Sequence, residues 1–91
     1  MNRIEQLTGM SRILIRSESY LRNGQVIYAY RHMAEMWNFF TPADEEKART
    51  VRFISNELIA GRQIDAHNNI KSLLDKVQNE LKEQDETQKA D

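Results

Sequence analysis

Residues 35–50 read EMWNFFTPADEEKART, and the fold turns on how this stretch is understood. It holds the one Trp of the chain, two of its three Phe and its one Pro. Thr41 can cap a helix, and Pro42 suits a first helical position because its missing N–H would have had no partner there. Asp44, Glu45 and Glu46 then place negative charge in the first turn, where the helix dipole favours it. The sequence therefore predicts a helix from Thr41 to Ala60, stopped by Gly61. Its apolar stripe is Ala48, Val51, Ile54 and Leu58, with Ile59 at the edge and Phe53 well off it.

On the other side of the break, residues 25–40 read QVIYAYRHMAEMWNFF. Val26, Tyr30, Met33, Ala34 and Trp37 recur at helical spacing, and Ala29, Met36 and Phe40 widen the stripe past half the circumference. The expectation is a central helix buried on most sides. Trp37 and Phe40 would close the core at the foot of a helical hairpin, while Tyr28 and Phe39 point away from it. Aromatic and Met residues at this spacing read as core rather than as a cofactor box.

Working outward, Ala66, Ile70, Leu73, Leu74, Val77 and Leu81 form one narrow face of a last helix beginning near residue 64. Residues 84–91 contain no apolar side chain except Ala90 and read as a disordered acidic tail, leaving 1–83 as one helical domain. Toward the N-terminus, Asn23-Gly24 signals a turn that ends a first helix near Arg22. Ile4, Leu7, Met10, Leu14 and Leu21 share its face, and Gly9 weakens its early turns. RILIR at 12–16 also suits a short strand, but no second strand is visible to pair with it. The fold class expected is all-α: about four helices in an up-and-down bundle, oligomeric because one small interior cannot receive every apolar face.

Composition narrows the function classes. The chain has 91 residues, 40% hydrophobic and 30% charged, with a net charge of −1. That is a globular composition without the basic excess of a dedicated nucleic-acid binder. There is no Cys, so disulfides, thiolate metal sites and a Cys nucleophile are excluded. The N-terminal stretch has no long apolar core, so neither a signal peptide nor a membrane span is expected, and a cytoplasmic location follows. Charge is uneven: residues 1–42 carry +2 and residues 63–91 carry −3, and all eight Arg lie at or before Arg62.

Two leads bear on chemistry. Arg12, Arg16, Ser19 and Asn23 recur on one face of the first helix with Tyr20 beside them, a candidate surface for an anion or a partner. An ordinary solvated face reads the same way. The second lead is RQIDAH, Arg62 to His67. An Arg followed five residues later by His, at the start of a late helix, resembles the short ribonuclease motif of the HEPN superfamily. The resemblance covers these six residues and implies an all-helical, dimeric, metal-independent ribonuclease. His67 would be its general acid or base and Arg62 its phosphate clamp. The alternative is that Arg62 ends one helix and His67 flanks the next.

Other constellations are missing. The three Gly are isolated, so there is no phosphate loop, and Glu35 near His32 lacks a further metal ligand. The reading adopted is a small non-enzymatic interaction protein without cofactor or metal. It acts as an adaptor, inhibitor or regulator by binding a protein partner and self-associating, with Tyr28, Phe39 and Phe53 as candidate oligomer contacts. Nucleotide or nucleic-acid binding through the Arg12 and Arg16 face is a less favoured partner class.

Overall fold

The structure is a computed structural model that describes residues 1–90, with side chains through Glu86. Every element is helical: α1 Arg3–Arg22, α2 Val26–Met33, a 3₁₀ segment Ala34–Asn38, a short 3₁₀ turn Pro42–Asp44, α3 Glu45–Ile59 and α4 Gln63–Ala90.

Helix α1 starts where Asn2 accepts a hydrogen bond from the Glu5 N–H at 2.8 Å. Its inward face is Leu7, Met10, Ile13, Leu14 and Leu21, with Ser11 and Ser17 between them. Residues 3–22 are thus one helix, and RILIR is its middle. It ends in a Schellman motif. The Gly24 N–H donates to the Leu21 carbonyl and the Gln25 N–H to that of Tyr20, with Gly24 at φ +77. Helix α3 ends the same way, with Gly61 at φ +80 and the Arg62 N–H donating to the Glu57 carbonyl. At both places the left-handed backbone suits glycine, because a Cβ would crowd the following carbonyl.

The core is formed by the α1 face with Ala29, Met33, Met36, Val51, Ile54, Leu58, Ala66, Ile70, Leu73 and Val77. Helix α1 is the central element and packs most extensively on α4. Early in α1, Arg3 meets Glu80 late in α4, and toward its end Glu18 meets His67 early in α4. Between α3 and α4 the buried Glu57 accepts a hydrogen bond from Asn69 at 2.8 Å.

Three expectations are corrected here. The stretch 25–40 is not one central helix. It bends into 3₁₀ geometry at Ala34, and only Ala29, Met33 and Met36 are buried in it. A 3₁₀ helix turns about 120° per residue and an α-helix about 100°, so five residues shift the phase by roughly 100°. Met33, Met36 and Phe39, three apart, therefore face inward together. Trp37 is carried outward and is 41% exposed. Phe39 does not point away from the core but packs against it, partly buried. The acidic first turn also does more than offset a dipole: Glu45 and Glu46 are exposed there, but Asp44 is buried.

Helix α4 continues through Ala90, past the point at residue 84 where the sequence predicts a tail. Gln, Glu and Lys are good helix formers, which lets a helix run on beyond its packed face. Asp91 lies outside the described residues. Among the described residues no helix is long and apolar enough to cross a membrane.

Candidate functional site

A groove of about 730 Å3 lies between α1 and the α2–3₁₀ arm. Arg12, Arg16 and Ser19 line it from α1, and His32, Glu35 and Asn38 line it from the arm. Gly9, Ile13, Ile15 and Phe39 supply apolar surface. The Phe39 ring lies on Gly9 so closely that a Cβ there would stand 2.4 Å from a ring carbon. A helix-interior glycine costs about 1 kcal/mol relative to alanine, and the seat for Phe39 is what it provides. Neither Arg12 nor Arg16 has a salt bridge among the described residues. Glu35 is engaged, its carboxylate 2.6 Å from His32 Nδ1.

The structure thus brings together three of the five residues on the predicted α1 face. Tyr20 lies outside the lining and packs between Tyr28, with ring centroids 5.8 Å apart, and the edge of His32 at 6.0 Å. Asn23 is the exposed C-cap of α1. The opposite wall, with His32 and Glu35, lies outside the face that the sequence predicts. Its signal was present in the three-residue spacing of His32 and Glu35 and in the unexplained Gly9.

A second concavity, about 360 Å3, lies between the arm and α3. Tyr30, Ala34 and Trp37 line it on one side and Arg52, Ser55, Asn56 and Ile59 on the other. The Arg52 guanidinium sits 5.2 Å from the Trp37 ring centroid, and Phe40 meets Trp37 edge-on at 5.4 Å. Ile59 is 69% exposed, and Ile27 continues the stripe along α2, also exposed. Of the candidate oligomer contacts, Tyr28 and Phe53 are more than half exposed, whereas Phe39 lies on Gly9.

Of the two residues of the ribonuclease lead, His67 lines a pocket and Arg62 does not. His67 Nε2 lies 3.0 Å from Glu18 Oε1, in a shallow pocket shared with Leu21, Arg22, Gln63 and Ile64. Arg62 is exposed in the turn before α4 and does not line that pocket.

The strongest electrostatic feature lies where α1, α3 and α4 meet. Arg3 donates to both Asp44 oxygens, at 2.9 and 2.7 Å, and to Glu80 at 2.8 Å. Lys47 pairs with Glu80 and lies 3.4 Å from Asp44. The Thr41 N–H and hydroxyl also donate to Asp44, at 3.0 and 3.2 Å. Burial alone would push the Asp44 carboxyl upward. Hydrogen bonds from Arg3 and the Thr41 N–H, with the charges of Arg3 and Lys47, outweigh it and hold the carboxyl well below the usual range. Glu80 is likewise pushed up by burial and brought below its ordinary value by Lys47 and Arg3. The bond to Asp44, opposed by burial and reinforced by Glu80, raises the Arg3 guanidinium further. This cluster ties three elements together and is fully engaged in doing so. Among the described residues no group of three or more His, Asp or Glu could hold a metal ion.

No protein-family model matches the chain, no curated protein matches it, and no solved structure matches it.

Proposed function

We propose that this chain is a non-enzymatic helical interaction protein, an up-and-down four-helix bundle that self-associates and binds a protein partner through an apolar helical face. The observation that carries the reading is the exposed stripe Ile27, Tyr30, Ala34 and Trp37, joined across a groove by Ile59. Large apolar side chains gathered in one place on a small protein mark a contact surface, whereas scattered ones need no explanation. The groove has the makings of an interface: aromatic side chains flanked by Arg52, Ser55 and Asn56. Phe53, one residue from Arg52, extends the apolar surface of α3. The pairings Arg3–Glu80, Glu18–His67 and Glu46–Lys76 support the up-and-down order.

A second copy of the chain is the partner to test first, since two-fold dimers are the commonest assembly. Each large apolar side chain fully buried at the contact would contribute about 1.5–3 kcal/mol before association costs. Analytical ultracentrifugation should give a dimer at micromolar concentration, with Ile59→Glu monomeric at unchanged helicity. Trp37 emission should shift to the blue as wild-type concentration rises. A wild-type monomer at every concentration, with constant emission, would remove self-association from the reading.

A further inference from the structure

The groove between α1 and the arm lies apart from the apolar stripe, and its chemistry is different. Two arginines one turn apart stand on one wall, and among the described residues neither has a salt bridge. On the far wall Glu35, the one carboxylate in the lining among the described residues, is held by His32. The surface between the walls is apolar and aromatic, with Phe39 fixed on Gly9. Guanidinium forks at this spacing, on neighbouring turns of one face, can converge on a single anion. The volume of about 730 Å3 lies within the range of small-molecule sites.

We infer that this groove binds a phosphate monoester carrying a flat ring system, of mononucleotide size. Arg12 and Arg16 grip the phosphate, and the ring system packs on Phe39 and Ile13. Ser19 and Asn38 offer hydrogen bonds to polar groups between the two ends. A phosphate is preferred over a carboxylate because two forks supply more donors than one carboxylate can accept, and a monoester carries close to two negative charges at neutral pH. The apolar surface argues against a free inorganic anion, which would leave Phe39 without an occupant. Guanidinium recognition is directional, so lysine at these positions would keep the charge but lose the fork.

The test is a titration of the full chain with AMP, adenosine and inorganic phosphate, followed by calorimetry and by the amide resonances of Ser19, His32 and Asn38. AMP should bind saturably and move those resonances. Adenosine and phosphate should each bind at least tenfold more weakly than AMP. Arg12→Ala/Arg16→Ala should weaken AMP binding at least tenfold while leaving helicity and thermal midpoint intact, because both side chains are exposed. Arg12→Lys/Arg16→Lys should fall between. AMP binding unchanged in the alanine pair would overturn the assignment, and so would no response of the groove resonances to millimolar AMP. Phosphate binding as tight as AMP binding would overturn the claim that the ring system is recognised.

Discussion

Replacing Asp44 by Asn removes one charge from the point where α1, α3 and α4 meet. The wild-type carboxylate is inaccessible to solvent, receives both arms of Arg3, and caps the turn through Thr41. Asn can keep one oxygen for Thr41 but turns an N–H donor toward Arg3, which has only donors of its own. Removing one partner of a buried ion pair costs about 3–5 kcal/mol. Arg3 is partly exposed here and keeps Glu80, which places the expected loss lower, at about 2–3 kcal/mol. Asp44→Ala also loses the cap and should cost roughly 1 kcal/mol more. With a urea m value of about 1.5 kcal/mol/M, Asp44→Asn lowers the unfolding midpoint by roughly 1.3–2 M, readable by circular dichroism at pH 7. The pH dependence supplies a second readout. The folded Asp44 and Glu80 carboxyls titrate below their unfolded values, so as pH falls below about 4 the unfolded chain takes up protons first. The stabilisation is therefore complete above that range and is lost as pH falls toward the lowered folded values. Asp44→Asn should flatten this acid limb. A midpoint within error of wild type, with the same acid limb, would refute the view that Asp44 anchors the three helices.

Gly9→Ala should destabilise by about 1–3 kcal/mol although alanine is the better helix former, since the new methyl group meets the Phe39 ring. Thermal denaturation measures the loss, and adding Phe39→Leu should recover part of it. Trp37→Ala, made in the monomeric Ile59→Glu background, should cost about 1–2.5 kcal/mol, the combined scale of its contacts with Arg52 and Phe40. In that background Trp37 emission should be red-shifted and readily quenched by acrylamide.

The turns after α1 and α3 and the start before α3 were legible in the sequence because they depend on local chemistry. Gly24 and Gly61 stop helices through their own backbone preference, and Thr41-Pro42 starts one through capping, whatever the rest of the chain does. The buried faces of α1 and α4 were legible too, since in a regular helix the spacing of Leu7, Met10 and Leu14, or of Ile70, Leu73 and Val77, sets which side faces inward. The arm after α2 could not be read in this way. Its 3₁₀ geometry shifts the phase of the side chains, burying Met36 and seating Phe39 while turning Trp37 to the surface. The shift is felt only when the arm packs on Gly9, thirty residues away in the chain. Tertiary structure likewise made Asp44 the anchor of a cluster, because Arg3 reaches it from one end of the sequence and is itself held by Glu80 near the other. It also set Arg12 and Arg16 opposite His32 and Glu35, forming one groove out of two faces that are unremarkable apart. A periodic pattern encodes which side of a helix faces inward, but not what another helix brings to meet it.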